Sequence, residues 1–461
     1  MTHENSWLSL WWNTLPDHLA HPLGEPLISD VDVDVVIVGA GFTGLWTAYY
    51  LTLHDPTLRI AIIEAHRAGY GASGRNGGWA SDLFPVDMHT VAATAGRDAS
   101  IRLKRQMQAS IDEISRVIHD EGWDVGWRKG GSLTLARNPL QLERARREVD
   151  SMRRWGFEEV DFRFLSRSEV RDHVRATDVL GATYTPHCAS VNPARLVRHL
   201  ARWVVEHGVR LYENSPAVSI QAGEVRTADA RVRAPIVVRA TEGYTQQIDG
   251  FARSLMPVYS LMIATEPLPQ SIWDEIGLQE RPTFTDGRHL IIYGQRTSDG
   301  RLAFGGRGAP YHFGSNVKDQ FDRDARVHTA LWHELTELFP SVSEAAVTHT
   351  WGGPLAISRD WWASCGLDKT TGLAWSGGYA GDGVTTSNLG GRTLADLITG
   401  RQTELITLPW VGHRSREWEP EPLRWIAVNA AQRAVGYSDR FENRTGRTSR
   451  IGKAVSSLIG H

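Results

Sequence analysis

The chain has 461 residues, 41% of them hydrophobic and 22% charged, with a formal net charge of −3. That length exceeds what one hydrophobic core serves, so two or more domains are expected. The near-neutral charge and the absence of a basic block argue against a nucleic-acid partner.

The only cysteines, Cys188 and Cys365, lie far apart and form neither a metal-ligand spacing nor a disulfide framework. No apolar run approaches the roughly twenty residues needed to span a bilayer. The N-terminus reads Met-Thr-His-Glu-Asn-Ser, without a basic region or an apolar core, so a cytoplasmic location is expected. Residues 1–30 carry Trp7, Trp11 and Trp12 among three prolines. They predict an N-terminal arm pinned over the body by its tryptophans.

The next stretch organises the rest. Val33, Val35, Val36, Ile37 and Val38 predict a strand buried on both faces, and Gly39-Ala-Gly-Phe-Thr-Gly44 follows at once. Leu45, Ala48 and Tyr49 then recur at helical spacing. Strand, glycine turn and helix are the context in which GxGxxG predicts a dinucleotide site. Gly39 permits the tight turn, Gly41 lets backbone approach a pyrophosphate, and Gly44 lets helix and strand pack closely. The helix N-terminus offers unpaired N–H groups and a partial positive charge to the phosphates. A second strand, residues 58–65, carries Glu64, placed to bond ribose hydroxyls. An acid there suits NAD or FAD, since NADP would want a cation.

Gly69-Tyr-Gly-Ala-Ser-Gly74 also matches GxGxxG, but no strand directly precedes it, so it reads as a loop. Continued to Gly78, it is glycine-rich enough to run close to a ligand, with Ser73, Arg75 and Asn76 as donors. Helical periodicity follows from about 95 to 120, a short β signal at 132–136, and a charged helix from Pro139 to about Arg154. Ser166 and Glu169 have capping-box spacing. Asn192-Pro193 opens a helix as N-cap and first turn. Strands at 209–213 and 236–240 restore the βαβ character. Residues 255–310 read as antiparallel sheet, with strands at His289–Tyr293 and Arg301–Phe304 flanking a hairpin turn at Ser298-Asp-Gly300. A long helix is expected from Val317 to Leu338. Leu373 to Thr386 is again strand, glycine turn and helix, so a second helix N-terminus can aim at a ligand. The tail after Gly400 is polar and Arg-rich and predicts a helical extension.

Four stretches occur in order: Gly39–Gly44, Glu64, Gly71-Ala-Ser-Gly-Arg-Asn-Gly-Gly78 and Gly378-Tyr-Ala-Gly-Asp-Gly383. Together they resemble the FAD-dependent D-amino-acid oxidase / sarcosine oxidase superfamily, and within it the γ-glutamylputrescine oxidase-like branch. The resemblance implies an α/β protein: a Rossmann-type FAD-binding domain assembled from separated segments (31–94, 186–250 and 345–400). An α+β substrate domain with a mainly antiparallel sheet (95–185 and 251–344) would complete it. Residues 1–30 would be the arm and 401–461 the C-terminal extension.

It further implies that Gly39, Gly41, Phe42, Thr43 and Gly44 hold the FAD pyrophosphate, and that Glu64 holds the adenosine ribose. Ser73, Arg75, Asn76, Gly77 and Gly78 would line the pyrophosphate and flavin, and Val218 would touch adenine through its backbone. Gly381, Asp382, Gly383, Val384 and Thr385 would meet the pyrimidine edge of the flavin, with the Asp382 carboxylate expected to cap the helix.

The cysteine that links flavin covalently in sarcosine oxidases has no counterpart in His349-Thr-Trp-Gly-Gly-Pro354, so non-covalent FAD is expected. Thr385 stands where those relatives hold the substrate carboxylate with lysine. A second family lysine, where oxygen reacts, has no match in Arg301–Gly306. Oxygen or another electron acceptor therefore stays open. The expected chemistry is hydride transfer from an amine or amino-acid C–N unit to flavin N5, giving an imine that hydrolyses. Tyr259, Tyr293, Arg307, Trp351 and Tyr379 are the candidate substrate residues, and Arg307 could clamp a carboxylate bidentately. No catalytic base is assigned. A flavin monooxygenase and a non-catalytic flavin-binding protein remain the alternatives. Gly381-Asp382 is shared with the first, but no second nucleotide fingerprint for NADPH is present.

Overall fold

A computed structural model of the protein describes residues 8–306 and 308–449. Trp7 and Arg307, both singled out above, lie outside the described residues. Strand β1 (Val35–Val38) is buried at every position, helix α1 (Phe42–His54) follows the glycine turn, and β2 (Ile60–Ile63) lies parallel to β1. They sit in a six-stranded sheet. Its order is Ser364–Asp368, Leu373–Gly377, Ile236–Arg239, β1, β2 and Arg210–Tyr212, parallel except at the Ser364–Asp368 edge.

Alternate residues of β1 serve the two faces. Val35 and Ile37 join the core with α1 and the helix Pro193–Glu206, whereas Val36 and Val38 pack on a small four-stranded sheet through Val225 and Val232. Burial on both faces explains an unbroken Val/Ile run where an alternating one would serve a half-exposed strand.

The other large sheet has eight strands: Val347–Ile357, Met256–Thr265, Leu302–Gly306, Ile292–Arg296, Thr283–Asp286, Ser132–Ala136, Gly181–Thr185 and Arg163–Ser166. Every pairing is antiparallel except Thr283–Asp286 with Ser132–Ala136. Leu133, Phe284, Phe304 and Leu335 are among its core residues. The architecture is a Rossmann-type α/β unit joined to a second unit built on a mainly antiparallel sheet.

The helix expected from about 95 to 120 is α2 (Arg97–Asp120), and Gly96, with a φ of 90°, separates it from a further short helix, Met88–Ala95. Three local expectations change. The Val317–Leu338 helix begins only at Ala325, because the Asp324 carboxylate accepts the N–H groups of Arg326 and Val327 and caps the first turn there. The hairpin's first strand is Ile292–Arg296 instead of residues 289–293. Val347–Ile357, expected within the cofactor-binding segments, pairs along its length with Met256–Thr265 in the eight-stranded sheet.

Near the C-terminus, α3 (Gly383–Thr399) packs on α1, and α4 (Leu423–Thr445) lies beyond it in sequence. The arm is tied down. Trp11 and Trp12 are buried, Trp11 Nε1 donates to Asn76 O (2.8 Å), and Ser9 Oγ donates to Gly74 O (2.8 Å).

Candidate active site

The two strand–glycine–helix junctions open on one cavity of about 1250 Å³, including its mouth. Gly39, Gly41, Phe42 and Thr43 line one part of it, and Gly381, Gly383 and Val384 line another. Glycine is required here for stated reasons. Gly39 has φ +106°, and a Cβ would fall 2.4 Å from Ala240 O; on Gly44 it would fall 2.0 Å from Gly39 O. Gly44 therefore packs the junction together and leaves the cavity wall to Gly41. Ser73 reaches the same junction: its Oγ accepts the Phe42 N–H (2.8 Å) and would lie 2.9 Å from a Cβ on Gly41.

Two carboxylates face the cavity. Glu64, at the end of β2, accepts the N–H of Ala40 (2.8 Å) and of His66 (3.0 Å). Burial pushes its carboxyl up to about 7 against those donors. Glu242 accepts the N–H of Tyr379 (3.0 Å) and Gly378 (3.2 Å), so it fixes the turn that leads into α3. Burial raises it as well, to about 7. The Tyr379 hydroxyl bonds Thr43 Oγ1 on α1 and Ser376 Oγ, both at 2.9 Å, and so ties the two junctions together.

Several expected residues have other partners. Arg75 is buried, and its guanidinium donates to Asp322 Oδ2 and Tyr244 Oη, both at 2.5 Å, beneath the Tyr70 ring. Burial dominates this network: the Asp322 carboxyl is raised to about 6 although Arg75 opposes the rise, with the nearby Asp319 carboxylate adding to it. Asn76 lines the cavity, and its Oδ1 accepts Gly78 N–H (2.7 Å). Gly77 lies under the Tyr293 ring, where a Cβ would sit 2.7 Å from Cε2. Gly78 has φ +69° beneath Gln295.

Elsewhere on the wall Pro216 and Ala217 line the cavity, while Val218, expected to touch adenine, gives its N–H to Arg226 O (2.8 Å) and exposes its side chain. Asp382 is the N-cap residue of α3, but its carboxylate makes no capping bond; instead its backbone O accepts from Thr386 Oγ1 (2.6 Å). Thr385 is buried, with Oγ1 lacking a hydrogen-bond partner.

Of the substrate candidates, Tyr379 lines the cavity. Tyr259 is buried and accepts Lys318 N–H (3.2 Å), Tyr293 shares a bond with Ser260 Oγ (2.8 Å), and Trp351 Nε1 donates to Arg75 O (2.9 Å). Sequence reasoning passed over Glu242, Tyr244 and Asp322. Glu242 carried a signal, since Thr241-Glu-Gly-Tyr244 closes a buried strand as Glu64 does; Asp322 carried none.

The cavity suits a dinucleotide: bare backbone at a helix N-terminus for the phosphates, a carboxylate at the end of the second strand for the ribose diol, and a second helix N-terminus beyond. Residues 34–397 match the family of FAD dependent oxidoreductases (DAO), and the chain belongs to it. It is an FAD-dependent amine or amino-acid oxidoreductase. It is 28% identical over 382 residues to the gamma-glutamylputrescine oxidoreductase of Escherichia coli (strain K12), covering 82% of this chain and 86% of that protein. It is 25% identical over 391 residues to the sarcosine oxidase subunit beta of Arthrobacter sp, covering 82% and 89%. Among solved structures, glycine oxidase from Geobacillus kaustophilus superposes with a TM-score of 0.69 at 22% identity, over 84% of this chain and all of that one, which supports the shared fold.

Proposed function

We propose that the protein oxidises the C–N bond of a small amine or amino acid, of the conjugated-amine kind named for its Escherichia coli relative, with FAD held non-covalently. The observation that carries this reading is the single cavity shared by the two junctions. Gly39, Gly41 and the N-terminal turn of α1 would hold the pyrophosphate, Glu64 the adenosine ribose, and Ser73 and Asn76 the stretch towards the ring. Bound FAD supplies the acceptor for a hydride from the carbon beside the amine nitrogen, and the imine left behind hydrolyses to a carbonyl compound and an amine or ammonia. Oxygen or another acceptor closes the cycle.

The protein's part is placement and field. The N-terminus of α3, at Gly383 and Val384, presents partial positive charge where negative charge develops at the ring's pyrimidine edge. The unpartnered Thr385 Oγ1 is the side-chain donor available in the same turn. Glu242 holds Gly378 and Tyr379 in place. Cys188 and Cys365 are fully buried and outside the cavity wall, and burial pushes the Cys188 thiol up to about 12, which suits non-covalent binding.

Anaerobic mixing of the yellow holoenzyme with γ-glutamyl-amine conjugates, free diamines, N-alkyl amino acids, D-amino acids and NADPH is the test. Bleaching by one amine class and not by NADPH is the expected result. Bleaching by NADPH alone would favour a monooxygenase, and a flavin that none of them reduces would favour a non-catalytic protein.

A further inference from the structure

Helix α4 is amphipathic towards the protein and apolar away from it. Its inner face is fastened by polar contacts. Asn429 Nδ2 donates to Tyr311 O (3.1 Å), Gln432 Nε2 donates to Ala309 O (3.3 Å), and Asp439 accepts the N–H groups of His289 (2.8 Å) and Leu290 (2.7 Å). Glu442 pairs with Arg144 and His289. Asp439 and Glu442 are the only acids of the helix, and both are engaged on this inner side.

The opposite face repeats Leu423, Ile426, Ala430, Tyr437 and Phe441, spaced 3, 4, 7 and 4 residues apart, which forms one stripe on a helix. Leu423, Ile426 and Tyr437 are 61%, 54% and 55% exposed, and Phe441 stacks on Tyr437 with ring centroids 6.4 Å apart. Trp425 and Phe313 add exposed rings at the start of the helix, where Gly314 N–H bonds Glu421 (3.1 Å). Arg433, Arg440 and Arg444 are exposed beside the stripe. From Leu423 to the last residue the sequence holds seven Lys or Arg and two Asp or Glu.

We infer that this outward face of α4 docks on an anionic lipid surface, with the helix lying in the plane of the membrane. An apolar stripe edged by arginines is the pattern of an interfacial helix: the apolar side chains enter the acyl boundary while the guanidinium groups stay among the head groups. No helix among the described residues is long and apolar enough to cross a membrane. A second copy of the chain is the poorer occupant. Pairing two such faces would bring the arginines of both copies to one seam with no carboxylate of the helix left to neutralise them.

The test uses the full-length holoenzyme and extruded vesicles of phosphatidylcholine, with or without phosphatidylglycerol. The protein should sediment with the phosphatidylglycerol vesicles at low salt and be released as salt rises. Replacing Arg433, Arg440 and Arg444 together by Gln should weaken binding about a hundredfold, at about one kcal/mol per cation near the surface. The pair Ile426→Ser and Tyr437→Ser should abolish it while FAD content and the unfolding midpoint stay put. Two results would overturn the inference: no sedimentation with the anionic vesicles, or a dimer in solution that the same serine variants dissociate.

Discussion

Glu64 receives two backbone N–H bonds, yet desolvation wins and holds its carboxyl near 7 before cofactor binds. Ribose hydroxyls would donate to the ionised form and pull the group back down. Binding then expels a proton, so FAD affinity should rise as pH climbs through about 7 and level off above it. Fluorescence titration of the apoprotein between about pH 6 and about pH 8 should show the dissociation constant falling, with Glu64→Gln flattening the profile and weakening binding at the upper end. A wild-type constant that rises over that range would refute the assignment. Tyr379 offers a second residue test, because its hydroxyl serves both Thr43 and Ser376. Tyr379→Phe leaves two buried hydroxyls short of a partner and should cost about 1–3 kcal/mol in urea unfolding. It should also weaken FAD binding, since α1 and the turn before α3 lose their shared strut.

At the scale of elements, the N-terminal arm depends on one buried ion pair. Arg198, on the helix Pro193–Glu206, donates to Leu19 O (2.8 Å) and Ala68 O (3.3 Å) and pairs with Glu213 (3.3 Å). Glu213 in turn accepts the N–H groups of Leu23 (2.8 Å), Gly24 (3.3 Å) and Ala68 (2.8 Å). Both side chains are fully buried. Removing one charge strands the other, so Glu213→Ala should lower stability by about 3–5 kcal/mol and release the arm to protease. Chemical unfolding with mass analysis of early tryptic fragments reads both effects. An arm that stays protected would mean that Trp11, Trp12 and their packing suffice.

The elements that sequence reasoning found are those whose cause is local. β1, α1 and β2 follow from a run of Val and Ile, three glycines and a helical period, and the hairpin follows from Ser298-Asp-Gly300. The late start at Ala325 was missed because a single capping residue, Asp324, outweighed a continuous apolar period. The site divides the same way. Its glycine turns and Glu64 were visible because neighbours in sequence build them. The partners of Arg75 were not, because Tyr244 and Asp322 lie 169 and 247 positions away and meet it only in the folded chain.

Over the whole molecule, that distance is itself the design. The cavity is walled by residues from 38 to 76, from 216 to 248, at 355, and from 379 to 387, so the ligand joins stretches that the chain separates by hundreds of residues. Arg75 and Asp322 carry the connection outward, linking the glycine-rich loop to the turn before the helix Ala325–Leu338. A ligand that binds only the assembled cavity stabilises every wall at once, by about 2.7 kcal/mol at a hundredfold excess over its dissociation constant. Hydrogen exchange of apoprotein and holoenzyme should therefore slow together at residues 39–46, 64–76, 241–248 and 379–387. Residues 423–445, none of which lines the cavity, should change little. Protection confined to the first two stretches would mean that the Gly378–Gly383 turn belongs to another ligand, and the charge-stabilising role given to α3 would fall with it. Protection across all four, lost from the last when Tyr379 is replaced by Phe, would tie the two junctions to one cofactor through the hydroxyl between them.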